Sequence, residues 1–377
     1  LIIMADGKVK VLLTGGGTGG HIYPAIVIAD EIKRLNPAAE ILFVGTRRGL
    51  ESTVVPRLGY DIKYIDVRFF ERSITLRNFT TVYKAFTAIF AAKKIIKEFK
   101  PQVVVGTGGY VSGPVVLAAT MLKVPTLIHE QNAFPGLTTR LLSGRVNRVA
   151  VSHAEASKRL KSGAATVVTG HPVRREFFET ERAHARQEMG LKENQKLVLV
   201  VGGSGGALKL NQVTLDSAEA ILANPDIVLI HITGSRYYQW VSEESEKLQL
   251  APEVAARYRI TDYIHYMPRA MAACDLIVAR SGGMVHEMTV SGCPALLVPS
   301  PNVTDDHQLH NARSMAESGA ALVIEEPELS AESFVREISA LTCDSGRLEK
   351  MAAAAKALGK PEAGRRLAKI ITEMAKK

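Results

Sequence analysis

The strongest constraint on this chain is a pair of glycine-rich turns, each set between a β-branched run and a helical stretch. The first, Thr14-Gly15-Gly16-Gly17-Thr18-Gly19-Gly20-His21, follows the run Val9–Thr14 and precedes a helix from Pro24. The second, Val201-Gly202-Gly203-Ser204-Gly205-Gly206, follows Leu197–Val201 and precedes a helix from Ala207. The first N–H groups of a helix have no intrahelical acceptor and lie at the positive end of its dipole, so such turns attract phosphate. Glycine serves there because it accepts positive φ and lets an anion approach the backbone.

Apolar runs alternate with helical stretches along the whole chain. Val9–Thr14, Ile41–Gly45, Val103–Gly106, Thr126–His129 and Val149–Ser152 read as strands of one sheet. Leu197–Val201, Val228–Thr233, Leu276–Ala279, Ala295–Pro299 and Ala321–Ile324 read as strands of a second. Near-continuous hydrophobic runs are the mark of parallel strands covered on both faces, which predicts an α/β protein with doubly wound sheets. A length of 377 residues suits two such domains better than one core. The break is expected at Gly170-His171-Pro172, giving domains of 1–170 and 171–354. The Ala- and Lys-rich tail of about 355–377, interrupted at Gly359-Lys360-Pro361, is expected to pack back on the first domain.

Composition narrows the class. Apolar residues make up 46% and charged residues 23%, as in a globular protein. Cys274, Cys293 and Cys343 show no CxxC spacing, which points to a reducing compartment with neither a disulfide framework nor a zinc site. LIIM followed by Asp6 is too short for a signal-peptide core, and the longest apolar stretch, Val111 to Val124, carries Lys123, so a soluble or peripheral chain is expected. The net charge of +9 is uneven. Residues 1–170 hold 23 Lys and Arg against 11 Asp and Glu, whereas the remainder holds 24 against 27. The basic half suggests an anionic partner: nucleic acid, anionic lipid or a phosphorylated substrate.

Each turn has a rival reading. Gly15-x-Gly17-x-x-Gly20 matches the dinucleotide fingerprint, but that fingerprint needs an acid at the end of the second strand. Here the strand runs into Gly45-Thr46-Arg47-Arg48, which disfavours a dehydrogenase. Gly202-x-Ser204-x-Gly206 matches the nucleophile elbow of α/β-hydrolases. The first half repeats the same strand–turn–helix without a nucleophile, which weighs against a hydrolase.

Other polar clusters fall at strand ends, where open α/β sheets bind ligands. Gly106-Thr107-Gly108-Gly109-Tyr110-Val111-Ser112-Gly113-Pro114 could cradle a second diphosphate. His129-Glu130-Gln131-Asn132 follows the next strand. In the second half, Arg280-Ser281-Gly282-Gly283 leads into a helix bearing Glu287, whose carboxylate can accept from both hydroxyls of a ribose. Asp305-Asp306-His307-Gln308-Leu309-His310-Asn311 reads either as a loop capping a helix or as an amide-rich pocket for sugar hydroxyls. His129-Glu130 and His286-Glu287 lack the HExxH completion, so no metal is expected. Between Leu76 and Lys97 an apolar stripe, Leu76, Phe79, Val82, Tyr83, Phe86, Ile89 and Phe90, is bordered by Arg72, Arg77, Lys84, Lys93, Lys94 and Lys97. It reads as a core helix or as an insertion surface for an anionic membrane.

Taken in order, GGGTGGHIYPA, GTGGYVSGP, HEQNAFPGLTTR, GHPVR, VVGGSGGALKLN and DDHQLHNA resemble the MurG family, the undecaprenyl-diphospho-muramoylpentapeptide β-N-acetylglucosaminyltransferases, over nearly the whole chain. The resemblance implies the GT-B fold, two Rossmann-like domains facing across a cleft. It implies inverting transfer of GlcNAc from UDP-GlcNAc to the 4-hydroxyl of the muramoyl sugar of lipid I, giving lipid II. Neither cofactor nor nucleic acid is implied, and the expected place is the cytoplasmic face of the bacterial plasma membrane, as a peripheral protein on an anionic surface. In the second half the resemblance places Ser204 at the diphosphate, Ile264 at the uracil, Glu287 at the ribose, and His307, Gln308 and Asn311 at the GlcNAc. Arg174 and Asn132 would approach the donor from the interdomain side, and Thr18, Gly19 and Gly20 would join them. Gly17, Gly108, Gly109 and Tyr110 would hold the lipid diphosphate.

Inversion calls for one displacement with a base on the acceptor hydroxyl. His21 suits that role because a helix N-terminus disfavours the imidazolium. It could instead orient the acceptor, and Glu130 is the other candidate base. The family's Arg-to-Glu spacing is one residue longer than Arg280 to Glu287, with a Thr where Val285 now lies. That shortening bears on donor affinity and donor choice. A related transferase on another lipid acceptor, a UDP-GlcNAc 2-epimerase and a non-catalytic nucleotide-sugar sensor are the competing functions.

Overall fold

The computed structural model describes residues 8–67, 76–161, 163–203, 205–303 and 306–376, and for 76–85 the backbone alone. The chain forms two compact units, Leu1–Val173 with Lys360–Lys377, and Arg174–Gly359. The boundary thus lies three residues past the expected break, after Val173.

The first unit carries seven strands: β1 (Lys10–Thr14), β2 (Glu40–Gly45), β3 (Asp61–Tyr64), β4 (Val103–Gly106), β5 (Thr126–Glu130), β6 (Arg148–Val151) and β7 (Thr166–Val168). Their helices are α1 (Gly19–Leu35), α2 (Glu51–Arg57), α3 (Leu76–Phe99), α4 (Ser112–Met121), α5 (Leu137–Leu142) and α6 (Ala154–Ser157). The sheet runs β3-β2-β1-β4-β5-β6-β7 and is parallel throughout. Successive residues of a strand point to opposite faces. Val11 and Leu13 accordingly join a core with Ile26, Ala29 and Ile32 of α1, while Leu12 joins Ala92 and Ile96 of α3 and Val115 of α4.

The second unit opens with α7 (Glu176–Glu179) and α8 (Arg182–Glu188). It continues through β8 (Lys196–Val201), α9 (Leu208–Leu222), β9 (Ile227–Ile232), α10 (Tyr238–Glu246), α11 (Pro252–Ala255), β10 (Tyr258–Thr261) and α12 (Met267–Ala273). It closes with β11 (Leu276–Ala279), α13 (Met284–Ser291), β12 (Ala295–Leu297), α14 (His307–Glu317), β13 (Ala321–Val323), α15 (Ala331–Cys343) and α16 (Ser345–Leu358). Its strand order is β10-β9-β8-β11-β12-β13, again all parallel. Val198, Val200, Val278 and Leu296 pack with Leu210 and Ile221 of α9 and Phe334 and Ile338 of α15.

Three strands escaped the sequence reading: β3, β7 and β10. All are at or next to a sheet edge, and DIKY, TVV and YRIT include exposed or half-buried positions instead of unbroken buried runs. An edge strand covered on one side needs no continuous apolar run. The tail divides. Leu348 and Met351 of α16 belong to the second core. Past Gly359, α17 (Ala363–Ala375) rejoins the first unit, where Leu367, Ala368 and Ile371 pack into the α1 core. Gly364 allows this approach, since a Cβ there would lie 2.9 Å from Val27. Among the described residues no helix is long and apolar enough to cross a membrane.

Candidate active site

In an open parallel sheet a crevice forms where neighbouring strands send their connections to opposite faces. In the first unit that point lies between β1 and β4. The first glycine turn leaves β1 there, and Gly108-Gly109-Tyr110 leaves β4. Their backbones interlock. Gly109 has φ +79, and a Cβ on it would come within 2.2 Å of the Gly16 carbonyl oxygen. Any side chain at 109 would push the two turns apart.

His21 lies in the first turn of α1. Thr18 precedes that helix without capping it, and its Oγ1 lies 3.0 Å from His21 Nδ1. The ring rests over Gly108, where a Cβ would lie 2.5 Å from Cδ2 and 3.0 Å from Nε2. Gly108, expected to face the acceptor, therefore also makes room for the imidazole. Buried Thr107 donates to the His21 carbonyl at 2.7 Å, and the Gln131 amide donates to the carbonyls of Gly20, at 3.3 Å, and Thr107. Three strand ends are thus stitched to one helix start.

Glu130, at the end of β5, is buried. Its carboxyl accepts from Asn132 N at 3.1 Å and Gly136 N at 3.0 Å, one on each oxygen. Burial pushes it above the usual carboxylate range, against hydrogen bonds from Thr139, Asn132 and Gly136 that favour the charged form. Asn132 also reaches Glu130 through its side chain, at 3.4 Å. Both belong to the first unit, as do Thr18, Gly19 and Gly20.

The second unit has its switch point between β8 and β11. The turn after β8 is locked onto the end of β9. Gly206 has φ +73, and a Cβ on it would lie 2.3 Å from the Thr233 carbonyl oxygen. Ser204 lies outside the described residues. Behind the turn, Asn211 of α9 donates to that same carbonyl at 3.0 Å, and His231 bridges Asn211 Oδ1 and the Tyr258 hydroxyl at 3.0 Å each. Burial pushes His231 down to about 3.

Past β11, Ser281 donates to the Gln308 carbonyl at 2.8 Å, and Asn311 Nδ2 donates to the Ser281 carbonyl at 3.0 Å. Gln308 Oε1 accepts from Ser300 N at 2.9 Å. Asn311 is 2% exposed, yet among the described residues its Oδ1 has no partner. A buried amide oxygen left this way is ready to accept from a ligand hydroxyl. His307 begins α14, after Asp306 at φ 46. Glu287 stands in the first turn of α13, and loss of solvation pushes its carboxyl up to about 7 while the charge of Arg174 pulls it back down. The residue keeps part of its surface in contact with solvent. Arg280, in contrast, pairs with Glu326 and donates to the Val298 carbonyl at 3.0 Å, an inward structural role. Ile264 is buried in the segment joining β10 to α12.

The glycosyltransferase family 28 N-terminal domain matches residues 11–151, and the glycosyltransferase family 28 C-terminal domain matches 197–367. The chain belongs to glycosyltransferase family 28 and, within it, to the MurG family. It is 42% identical over 368 residues to the UDP-N-acetylglucosamine--N-acetylmuramyl-(pentapeptide) pyrophosphoryl-undecaprenol N-acetylglucosamine transferase of Acetivibrio thermocellus, covering 97% of this chain and 98% of the relative. Identity to the transferase of the same name from Halothermothrix orenii is 41% over 370 residues, covering 97% and 99%. Among solved structures, the crystal structure of Acinetobacter baumannii MurG matches with a TM-score of 0.72 at 26% identity, covering 97% of this chain and 99% of that one. A putative UDP-N-acetylglucosamine 2-epimerase from Listeria monocytogenes matches at 0.70 but only 17% identity, over 98% of each chain, which shows the shared fold alone. The fold is GT-B.

Within this family member, residues that the sequence reading left out also build the site. Glu51 is fully buried and takes Gly17 N at 2.9 Å, Thr46 N at 2.9 Å and Thr46 Oγ1 at 2.8 Å. The dinucleotide fingerprint requires an acid at the end of β2 that faces outward to a ribose. The acid is present six residues beyond Gly45 but turns inward to the glycine turn. The glycines at 45 and 49, just ahead of a lone acid at 51, are the available signal. On α3, the buried face is Ala88, Ala92 and Ile96, outside the predicted stripe. The stripe residues Phe86 and Phe90 are 60% and 68% exposed with Lys93 against the Phe90 ring, and Ile89 is half-buried between the two faces. Arg72 and the side chains of Leu76, Arg77, Phe79, Val82, Tyr83 and Lys84 lie outside the described residues.

Proposed function

We propose that this chain transfers GlcNAc from UDP-GlcNAc to the 4-hydroxyl of the muramoyl sugar of lipid I, forming lipid II with inversion at the anomeric carbon. The observation that carries the reading is the gathering of His21 in one unit and of Glu287 with Asn311 in the other, each group at its own sheet's switch point. Transfer needs an acceptor site with a proton acceptor and a donor site with ribose and sugar partners, and each unit supplies one.

The glycosyl bond to UDP breaks as the 4-hydroxyl oxygen bonds to the anomeric carbon, and the hydroxyl proton must leave. His21 takes that proton. In the tautomer whose Nδ1–H donates to Thr18 Oγ1, the lone pair sits on Nε2. Glu130, whose two oxygens are held by its own loop, positions Gln131 and Asn132. Gly17, Gly108, Gly109 and Tyr110 hold the acceptor diphosphate, and the excess of basic residues in 1–170 favours that charge. Glu287 takes the ribose hydroxyls, with Arg174 beside it. Ile264 meets the uracil, Ser204 the diphosphate, and His307, Gln308 and Asn311 the GlcNAc. Negative charge developing on UDP is met by oriented N–H groups at the turn after β8.

The exposed Phe86 and Phe90, with Lys93, Lys94 and Lys97 on the same helix, support docking of the first unit on an anionic membrane at the cytoplasmic face. The test is incubation with labelled UDP-GlcNAc and a lipid I analogue. Labelled lipid is the expected product. Labelled UDP-ManNAc without lipid label would replace this reading with epimerisation.

A further inference from the structure

The acceptor turn in the first unit has a buried acid behind it. Three glycines, Gly16, Gly45 and Gly49, have no room for a Cβ because the Glu51 carboxyl fills the space, at 2.4, 3.4 and 2.4 Å from the carboxyl carbon. Two of these approaches are too close for any side chain, and at Gly45 the Glu51 Cγ itself would be met at 2.4 Å. The carboxyl leaves β2 through Thr46, which it grips by both backbone and hydroxyl, and reaches the β1 turn through Gly17 N. Thr46 Oγ1 in turn lies 3.2 Å from the Tyr110 hydroxyl. Tyr110 packs against Gly17, its Cε1 3.1 Å from where a Cβ would sit. Gly17, at φ +86, is therefore held at its N–H by a carboxyl and at its Cβ position by an aromatic ring.

We infer that Glu51 is a positioning residue for the acceptor site: it sets the turn Gly15–Gly20, and through Thr46 it sets Tyr110, so that both meet the acceptor diphosphate in register. The inference rests on the reading that this turn holds the acceptor. A buried acid beside an anion site is unfavourable for binding unless it makes a geometry that the anion needs. Here the carboxyl consumes the Gly17 N–H, which points back to β2, and so fixes which N–H groups of the turn remain at the α1 start.

Glu51→Gln tests this. The amide keeps one oxygen for Thr46 but sets an N–H group against Gly17 N–H, so the turn loses its anchor with little change in volume. The acceptor KM should rise about tenfold, the scale of one hydrogen bond to a fixed group. The dissociation constant for UDP-GlcNAc, measured calorimetrically, should change far less, within about twofold, since Ile264, Glu287, His307, Gln308 and Asn311 belong to the other unit and only Thr18, Gly19 and Gly20 of the expected donor contacts lie in this turn. Thr46→Val provides a second variant that keeps the packing and removes only the hydroxyl; its acceptor KM should rise about threefold. An unchanged acceptor KM in a folded Glu51→Gln protein would overturn the inference. So would an equal weakening of donor and acceptor, which marks a general loss of structure. If Glu51→Gln does not fold, an unchanged acceptor KM in Thr46→Val decides against it. A parent enzyme that transfers nothing to the acceptor analogue defeats the functional reading itself, a result separate from these.

Discussion

Lowering the pH from roughly 8 to roughly 6 should weaken UDP-GlcNAc binding about tenfold, with Glu287 as the cause. Loss of solvation pushes its carboxyl up to about 7, with Arg174 opposing. A carboxyl titrating there is about nine-tenths ionised at the upper pH and about one-tenth at the lower. Only the ionised form accepts from both ribose hydroxyls, so the apparent dissociation constant scales inversely with that fraction. The two phosphates of UDP-GlcNAc are both esterified and keep their charge over this interval, so the ligand contributes no slope of its own. Isothermal titration at constant ionic strength reads the effect directly. Glu287→Gln should bind more weakly at the upper pH by about tenfold or more, the worth of a hydrogen bond to a charged group, and should show no slope. Arg174→Met should move the break upward, because it removes the charge that lowers Glu287. A parent whose affinity is flat across the interval, or a Gln variant that keeps the slope, would refute the reasoning and leave His307 to be tested next.

His21→Gln should lower kcat at least about a hundredfold with donor affinity unchanged, and loss of the acidic limb of the pH–rate profile would accompany it if His21 is the base; near-normal turnover with the parent's profile would end that assignment. Burial holds His129 down at about 4 against its ordinary 6.5, so its contribution to stability is full above 6.5 and lost as pH falls toward 4. Denaturant melts of parent and His129→Asn should therefore diverge by about 2 kcal/mol between roughly pH 7.5 and pH 5, the parent losing more; parallel curves would show that His129 does not titrate this way. Gly109→Ala and Gly206→Ala each force a side chain at positive φ against a carbonyl oxygen, so each should cost about 2 kcal/mol or more; steady-state kinetics should show the first raising the acceptor KM and the second the donor KM. Phe86→Ser with Phe90→Ser should reduce sedimentation with anionic liposomes severalfold, and equal binding to neutral and anionic vesicles by the parent would remove the membrane proposal.

Much of this protein is determined by the sequence alone. Central strands such as Val103–Gly106 and Leu276–Ala279 are legible because burial on both faces demands unbroken apolar runs, and glycine turns following them mark where phosphate can be held. Candidate site residues are also legible, because polar groups at strand ends lie in short contiguous motifs. What tertiary structure decided is how those groups are committed. Arg280 reads as an open cation but is taken by Glu326 from a segment 46 residues away. Glu130 reads as a free base, yet its loop folds over both oxygens. Asn311 and Glu51 look alike in sequence as polar residues near a helix start, but among the described residues one keeps an unpartnered buried oxygen while the other is spent on Gly17 and Thr46. Edge strands such as Asp61–Tyr64 and the return of α17 to the α1 core are settled by packing, since a half-covered strand and an amphipathic helix accept any apolar face that is open to them. Local chemistry therefore announces which groups are present. The partners each group finds across the sheet decide which of them are left for substrate.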